Sequence, residues 1–259
     1  MNTVISFSGG RTSAYMLRML LDEHGGTLPD DWITIFTNTG KERSETLDFV
    51  NECSIRWNVP IVWLEYVPDG KRYKVVDYAT ASRNGEPYAA LLQRGKYLPN
   101  PVTRFCTVDL KIKPVKRFVK DVFKWKTWDN ILGLRADEPR RAQRASIKTD
   151  IYTNKMPLAD KGITENDVLN FWADSDFDLQ LKHSEGNCDL CFLKGRTKLI
   201  GLMRRSPETA QWWIEQEKKA GATFLKTISY EGLFMIAQSQ IEIPILFDSH
   251  DKCDITCTD

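Results

Sequence analysis

The hydrophobic pattern at the start of the chain changes from a strand type to a helix type within a few residues. Residues 4–7 (VISF) form a short β-prone apolar run, and residues 8–10 (SGG) form a turn sequence. Residues 14–21 are strongly helix-forming. The first 21 residues therefore predict a strand, a tight loop and a helix.

Three further apolar runs have the length of strands, namely residues 32–37, 61–66 and 128–134. A helix is predicted from residue 44, with Leu47, Val50 and Ile55 facing inward and Cys53 as an ordinary core residue. Strands and helices alternate, which is typical of an α/β fold. We predict a doubly wound, largely parallel sheet of five strands.

The last third of the chain has a different pattern. Residues 199–238 carry helical sequences, with Pro207 opening one helix and Gly221 ending it. We therefore predict a main α/β domain over residues 1–180. Residues 181–259 form a helical, cysteine-bearing C-terminal region packed on that domain.

The loop after the first strand has the features of an anion site. Glycines let the backbone approach a ligand closely, and hydroxyl groups add hydrogen-bond donors. The first turn of the following helix has unpaired N–H groups whose dipole attracts anions. The candidate phosphate- or sulfate-binding residues are Ser6, Ser8, Gly9, Gly10, Arg11, Thr12 and Ser13. An ordinary turn between a strand and a helix is the alternative.

Two later strand ends carry polar residues that could complete such a site. In an open parallel sheet, strand ends line the ligand crevice. Thr37, Asn38, Thr39 and Gly40 follow the second predicted strand. Gly133 follows the fourth and precedes several guanidinium groups, which suit a bidentate grip on phosphate or sulfate. The candidate anion clamps are Arg135 and one of Arg140, Arg141 or Arg144. Polar loops and a surface ion-pair cluster are the alternatives.

Composition limits the class of protein. The 259 residues are 27% charged and 42% apolar, enough for one large domain or a main domain with an appendage. The net charge of +1 provides no overall basic field that would favour nucleic acid. No apolar run approaches about 18 residues, so we expect neither a membrane span nor a signal peptide. We expect a soluble, cytoplasmic protein.

Three cysteines stand out by their neighbours. Cys188 and Cys191 form a C-x-x-C turn, a spacing at which two thiolates can meet one metal ion or cluster. Cys106 lies at the mouth of a predicted helix, and Lys111 and Lys113 add positive charge nearby. In a cytoplasmic protein such cysteines are metal ligands or reduced thiols more often than disulfides. Inert buried thiols remain the alternative.

Several motifs together resemble the phosphoadenosine phosphosulfate (PAPS) reductase family of the PP-loop superfamily. The loop SFSGGRTS is similar to the family's SGGxxS loop, and GLRADEPRR is similar to its G-x-R-x-x-E-x-x-R pattern. The other matching segments are TNTGKERSET, CTVDLKIKP and MPLADKGITENDVLNFW. The resemblance covers roughly residues 3 to 200. It implies a PP-loop fold in which residues 1–180 bind an adenine nucleotide as substrate.

The resemblance also implies an iron–sulfur cluster, of the 4Fe-4S type, held by Cys106, Cys188 and Cys191. Cluster-bearing sulfonucleotide reductases carry cysteines in the same order with a similar gap. The fourth ligand is open: Cys253 or Cys257 could supply it, or one iron could stay accessible to sulfur or substrate. Zinc is the competing metal, since thiolate spacing does not distinguish it from iron.

The implied activity is reduction of adenylyl sulfate or phosphoadenylyl sulfate to sulfite. The sulfate would face Lys111 and Lys113, and Cys257 or Cys253 would attack its sulfur. A thioredoxin-like protein or another thiol donor would supply the electrons. The family's C-terminal Glu-Cys-Gly-Leu-His motif is matched here only by a cysteine in the tail.

Two other functions stay open. One is an ATP-dependent PP-loop sulfurtransferase that thiolates nucleic acid or a small molecule; the other is a nucleotide-binding metalloprotein without enzymatic activity. Thr12 stands where many ATP-cleaving members have Asp, which counts against the first. Phe105 stands where the reductases have a second cysteine, which counts for it. We expect no membrane partner, and a homodimer is left open.

Overall fold

A six-stranded sheet forms the centre of the protein. The computed structural model describes residues 1–95, 97–147, 149, 151–182, 185–186 and 188–239. The strands are β1 (Thr3–Phe7), β2 (Trp32–Asn38), β3 (Ile61–Glu65), β4 (Lys74–Val76), β5 (Trp128–Leu132) and β6 (Tyr152–Lys155). Their spatial order is β4-β3-β2-β1-β5-β6. All neighbours are parallel except β3 and β4, which are antiparallel.

Strand β1 lies in the interior of the sheet, between β2 and β5. Val4 and Ile5 point to opposite faces and both are completely buried, because helices cover both sides of a parallel sheet. Parallel strands end at a common edge. The carboxyl ends of β1, β2 and β5 therefore meet, and the loops that follow them share one crevice.

The helices are α1 (Arg11–Glu23), α2 (Ser44–Arg56), α3 (Glu86–Leu92), α4 (Lys113–Phe118), α5 (Pro139–Ala145), α6 (Pro157–Asp160), α7 (Glu165–Ala173), α8 (Arg196–Arg205), α9 (Glu208–Ala220) and α10 (Tyr230–Gln238). Two π-helical turns, Thr107–Ile112 and Val119–Phe123, flank α4. Such turns are rare and frequently mark functional sites. The first of them follows Cys106 directly.

Three apolar clusters hold these elements together. The first packs α1, α2 and α7 on the sheet face that carries Ile5 and Phe36. The second packs the segment around α4 on the opposite face, which carries Val4 and Ile35. The third lies away from the sheet and joins α8, α9 and α10 to α3. Trp213 in α9 is completely buried in this third cluster.

The predicted α/β fold with a helical C-terminal region is confirmed. The sheet has six strands rather than five, because the irregular stretch after β3 adds the short antiparallel strand β4, and β6 follows β5. Gly221 ends α9 with a positive φ of 59°, as predicted. Within the described part of the chain, no helix is long and apolar enough to cross a membrane.

One prediction about α2 is wrong. Ile55 was expected to face inward, but it is 70% exposed. The buried face of α2 instead carries Leu47, Phe49, Val50 and Cys53. Ile55 follows Cys53 by two residues and so lies about 200° further round the helix. Cys53 is buried in the first cluster, as expected for an ordinary core residue.

Candidate functional site

The loop between β1 and α1 is closed by its own serines. Ser13 Oγ accepts hydrogen bonds from Ser8 N at 3.2 Å and Ser8 Oγ at 2.9 Å, and it donates to the Gly10 carbonyl at 2.9 Å. Gly9 has a φ of 81°, in the left-handed region. These contacts fold the loop tightly over the first turn of α1, whose N–H groups attract anions.

Two glycines keep the space around this loop clear. A Cβ atom on Gly9 would lie 2.7 Å from Thr46 Cγ2 and 3.0 Å from Val50 Cγ2. A Cβ atom on Gly133, after β5, would lie 3.1 Å from Ser13 Cα. The loop therefore packs directly against α2 on one side and the end of β5 on the other, and side chains at either glycine would force them apart.

A cavity of about 360 Å³ opens where β1, β2 and β5 end. Ser8 and Ser13 of the loop line it, together with Thr37 from β2 and Gly133. Its size lies within the range of sites for drug-sized ligands and cofactors. It is the crevice that the strand order predicts, and the loop between β1 and α1 borders it.

The cavity has a strongly positive lining. Its described lining residues include five cations and no carboxylate: Arg104, Lys111, Lys116, Arg141 and Arg144. A ligand that neutralises several of these charges must itself carry several negative charges. Apolar and aromatic side chains, among them Trp128 and Tyr152, complete the wall. A ligand with a flat apolar part and multiple anionic groups fits this lining.

Arg135 contacts the start of α1 beside the loop rather than lining the cavity. Its Nη1 donates to Thr12 Oγ1 at 3.2 Å, and its Nε donates to Asp137 at 2.9 Å. Glu138 accepts from the backbone N–H of Arg135 at 3.1 Å. The guanidinium is buried and held by carboxylates, and it borders a smaller cleft that Gly9 and Gly10 also line. Its carboxylate partners fix its orientation.

Three predicted site residues do not line the cavity, although Arg11 lines the smaller cleft beside Gly9 and Gly10. Arg11 binds Asp178 through two hydrogen bonds of 2.7 Å and also donates to carbonyls in the segment 179–181. Lys113 donates to Asp109 at 2.6 Å, and the cavity's described lining includes Lys111 but not Lys113. Arg140 is exposed, whereas Arg141 lines the cavity. The arginines of α5 that line the cavity are therefore Arg141, which also pairs with Glu138, and Arg144.

The turn after β2 is built by buried hydrogen bonds. Asn38 is completely buried and donates to Glu65 Oε1 at 2.6 Å and to the Ser82 carbonyl at 2.8 Å. Its Oδ1 accepts from Gly40 N at 2.9 Å. Thr39 donates to Glu42 Oε2 through both its N–H and its hydroxyl. Thr37 faces the cavity, whereas residues 38–40 shape the turn that leads to Glu42.

The structure brings Cys106, Cys188 and Cys191 to one place, around the hydroxyl of Tyr88. Burial raises the pKa of Tyr88 well above its ordinary value, and the three cysteines raise this pKa further. Cys106 shares a hydrogen bond with this hydroxyl. Three sulfurs that are distant in sequence therefore converge on one buried phenol.

The thiols are strongly affected by burial. Burial raises the pKa of Cys106 and of Cys188, and negative neighbours raise both values further. Such thiols stay protonated unless a metal ion or a strong cation stabilises the thiolate. They are therefore poorly suited to act as free nucleophiles, and a metal centre would have to displace their protons on binding.

Lys111 connects the cavity with the cysteines. Its side chain lines the cavity, and its Nζ lies 3.7 Å from Glu42 Oε1. Burial lowers the pKa of Lys111, but Glu42 and the three cysteines raise it by more, so the pKa lies above its ordinary value. Lys111 is charged at neutral pH and stands between the anion pocket and the sulfurs.

The described donor residues do not form a compact site for a single metal ion. Among the described residues, no three His, Cys, Asp or Glu side chains are gathered closely enough to hold one metal ion. A four-iron cube places its protein ligands at separate corners, so the ligand atoms lie farther apart than around one zinc ion. Three cysteines converging on Tyr88 without forming a compact cage are compatible with such a cube.

Several residues of this region carry no signal that the sequence could have revealed. Glu42 pairs with Cys188 through an isolated antiparallel bridge. Lys41 forms an ion pair of 2.8 Å with Asp189, which lies inside the C-x-x-C turn. Trp213 donates to Asp189 at 2.8 Å. These contacts join residues far apart in sequence, and no local motif precedes them. Cys253 and Cys257 lie outside the described residues.

Similar proteins place these observations in context. An uncharacterized nin region protein, ORF290 of Escherichia phage lambda, is 32% identical over 221 residues, covering 82% of this chain and 72% of the phage protein. A solved structure, the U34-tRNA thiolase NcsA from Methanococcus maripaludis with its 4Fe-4S cluster, matches with a TM-score of 0.46 and 15% identity. That match covers 95% of this chain and 75% of the thiolase chain.

The family is decided by a sequence model rather than by the distant structure. The model of the phosphoadenosine phosphosulfate reductase domain matches residues 2–180. This range contains the loop between β1 and α1, the cavity's cations and Cys106. The matched range is more than half of the chain, and the chain belongs to the phosphoadenosine phosphosulfate reductase family.

Proposed function

We propose that this protein is an enzyme that binds an adenine sulfonucleotide and reduces its sulfonate group to sulfite. The observation that carries the proposal is the position of Lys111. This one side chain lines the cationic cavity and also interacts with all three cysteines. A sulfonate held at the end of the cavity would therefore lie beside the sulfur centre.

The nucleotide would occupy the cavity at the ends of β1, β2 and β5. Its phosphate would bind the N–H groups of the loop and the hydroxyls of Ser8 and Ser13. Arg141 and Arg144 would neutralise further negative charge, and Trp128 offers an apolar surface for a ring. Adenylyl sulfate and phosphoadenylyl sulfate both combine a purine with several anionic groups, as this lining requires.

The reaction we propose begins with a tail cysteine. The thiolate of Cys257 or Cys253 attacks the sulfonate sulfur, a sulfur–sulfur bond forms, and the bond from sulfur to the bridging oxygen breaks. The nucleotide leaves as its phosphate. A thioredoxin-like dithiol then attacks the cysteine sulfur and releases sulfite. A second attack returns the cysteine to its thiol, and the donor, which supplies two electrons, leaves as a disulfide.

Cys106, Cys188 and Cys191 would hold an iron–sulfur cluster beside this pocket. When bound, such a cluster supplies redox-active, Lewis-acidic iron. Lys111, charged and buried next to it, would hold the sulfonate oxygens by charge-assisted hydrogen bonds. Anaerobic purification with iron, sulfide and zinc analysis tests this assignment. About four irons and four sulfides per chain are expected for a 4Fe-4S cluster.

The activity is tested by sulfite release from adenylyl sulfate and from phosphoadenylyl sulfate with reduced thioredoxin. The double variant Cys253→Ser, Cys257→Ser is expected to lose sulfite release and to keep nucleotide binding, because the cavity is unchanged. Cys53→Ala is the matched control, since Cys53 is buried in the core away from the cavity. Undiminished sulfite release by the double variant would refute the proposed nucleophile.

A sulfurtransferase is the second candidate function. A cluster held by Cys106, Cys188 and Cys191 alone would have one iron that is not bound by a cysteine. Such an enzyme would activate a nucleic-acid or small-molecule carbonyl with ATP. Thr12 and the absence of an overall basic charge count against it. Pyrophosphate release from ATP with a candidate acceptor, without sulfite release from the sulfonucleotides, would decide in its favour.

A further inference from the structure

Glu42 is a buried carboxylate that the proposed chemistry does not use. It lies in the turn after β2, and the residue is 7% exposed. Within the described part of the chain, its two oxygens have different surroundings. Oε2 accepts hydrogen bonds from Thr39 N at 2.8 Å and Thr39 Oγ1 at 2.7 Å. Oε1 is buried and has no hydrogen-bond partner. A buried, unbonded carboxylate oxygen is unfavourable unless it binds something.

Glu42 lies beside Cys188. Glu42 and Cys188 face each other in an isolated antiparallel bridge, so their side chains are neighbours. Thr39 Oγ1, which binds the other oxygen of Glu42, lies 3.5 Å from Cys188 Sγ. Lys111 Nζ is 3.7 Å from Oε1, too far for a hydrogen bond. The carboxylate of Glu42 therefore lies next to Cys188, one of the three converging cysteines.

We propose that Glu42 Oε1 is the fourth protein ligand of the metal centre held by Cys106, Cys188 and Cys191. This inference rests on the proposed iron–sulfur cluster. Thr39 would orient the carboxylate through Oε2 and leave Oε1 for the metal. Ligating carboxylates are generally fixed by such hydrogen bonds to their other oxygen. The centre then has three soft thiolate ligands and one hard oxygen ligand.

An oxygen ligand makes one iron different from the other three. A carboxylate binds iron less firmly than a thiolate does, because sulfur ligands suit iron–sulfur clusters better than oxygen ligands. The iron bound by Glu42 would be the one that exchanges. This assignment is also compatible with Phe105, which takes the place of the second cysteine in the family's Cys-Cys pair.

The test uses the full-length chain, reconstituted anaerobically with iron-57 and sulfide and examined by Mössbauer spectroscopy. The wild type is expected to show three similar irons and one distinct iron. Glu42→Cys supplies a thiolate instead, so its four irons should become similar. In Glu42→Gln, a chelator with ferricyanide as one-electron oxidant should remove the distinct iron at least about tenfold faster and leave an oxidised three-iron cluster visible by EPR. Should Glu42→Gln fail to fold, Glu42→Cys decides alone.

Lys111→Met separates ligation from an effect through the lysine. This variant should keep the distinct iron and its wild-type rate of loss. If Lys111→Met behaves like Glu42→Gln, Glu42 acts only by holding Lys111, and the proposal is wrong. Four similar irons in the wild type, or equal lability in wild type and Glu42→Gln, would also overturn it.

Sulfite release measured on the same wild-type sample separates this proposal from the proposed function. Sulfite release by a protein with four similar irons would leave the reductase function intact and overturn the Glu42 ligand. A distinct iron in a protein that releases no sulfite would support the Glu42 ligand and overturn the reductase function. A wild type that retains no iron would overturn both the cluster and its fourth ligand.

Discussion

The buried ion pair between Lys41 and Asp189 joins the turn after β2 to the C-x-x-C turn. Lys41 Nζ lies 2.8 Å from Asp189 Oδ2, and both side chains are about nine-tenths buried. Asp189 also accepts from Trp213 Nε1 at 2.8 Å and from Leu190 N at 2.7 Å. Lys41 lies over the ring of Trp212, 4.9 Å from its centre. One carboxylate therefore connects three separate elements.

We predict that Asp189→Asn lowers the free energy of unfolding by about 3 kcal/mol, at the lower end of the cost of breaking a buried ion pair. The asparagine oxygen can still accept from Trp213 and Leu190, so those two hydrogen bonds are kept. The cost arises because Lys41 remains buried and charged without its partner. Its contact with the Trp212 ring is present in both proteins and so does not change this difference.

Equilibrium unfolding in urea measures the effect, with an unchanged m-value showing that the folded and unfolded states are comparable. Lys41→Met should cost a similar amount, and the double variant should cost less than the sum of the two. The expected coupling energy is about 2 kcal/mol, within the range for contacting residues. The matched control is Glu231→Gln, which breaks an ion pair of the same 2.8 Å length with Lys218. That pair is exposed, so its loss should cost less than about 1 kcal/mol.

This prediction would be refuted if the effects of the two single variants on the free energy of unfolding simply added in the double variant. It would also be refuted if Asp189→Asn lowered the free energy of unfolding by less than about 1 kcal/mol, because breaking an exposed pair already costs that much. Such a result would mean that water reaches the pair and that the two turns are not joined by it.

Three further predictions concern the loop, the cavity and a helix cap. Gly9→Ala should abolish nucleotide binding in calorimetry and lower the melting temperature, because its φ of 81° and a Cβ contact of 2.7 Å disfavour any side chain; unchanged binding would contradict the loop assignment. Arg141→Ala should weaken nucleotide binding about 10- to 100-fold, because one charge-assisted hydrogen bond to the ligand is lost. Arg140 is exposed and does not line the cavity, so Arg140→Ala should leave binding unchanged. Equal effects of the two substitutions would refute the cavity assignment. Asp167→Asn should lower the melting temperature at neutral pH, because hydrogen bonds from Thr164 lower the pKa of Asp167 below 3.8. A carboxyl whose pKa is lower in the folded state than in the unfolded state stabilises the fold at pH values above its unfolded-state pKa. The difference in melting temperature between wild type and Asp167→Asn should therefore vanish as the pH falls below the folded-state pKa. A difference that stays constant with pH would contradict this prediction.

Much of the fold follows from local sequence patterns. The buried strands β1, β2, β3 and β5 are continuous apolar runs, and such runs mark the inner strands of a parallel sheet. Strand β4 escaped prediction because its three residues, Lys74–Val76, are mostly exposed and pair with β3 only through tertiary structure. The inward face of α2 was misjudged at Ile55 because apolar character alone does not fix the angular position.

The candidate site was predictable where a residue's role depends on its own loop. Ser8, Gly9 and Ser13 form the expected turn, because strand, glycines and helix are adjacent in sequence. Arg11 belongs to the same motif, but Asp178 binds its side chain from 167 residues away. Sequence proximity brings a side chain near a site without saying which way it points.

The cysteine centre shows the limit of sequence reasoning more clearly. The spacing of Cys188 and Cys191, with Cys106 upstream, indicated that these residues belong together. Nothing local indicated Glu42 or Tyr88, because their place beside the sulfurs depends on how the C-terminal helices pack against α3. A glutamate in a charged segment such as KERSE is usually solvent-exposed, and only the fold shows that this one is buried.

The third apolar cluster has a consequence for how this protein could evolve. Tyr88, Leu91 and Leu110 belong to the matched family segment, yet they are buried against side chains from α8, α9 and α10. Cutting the chain at residue 180 would expose these apolar side chains to water and separate Cys106 from its two partners. The C-terminal helices are therefore not an interchangeable module, and a chimera that exchanges them must exchange the surface around α3 as well.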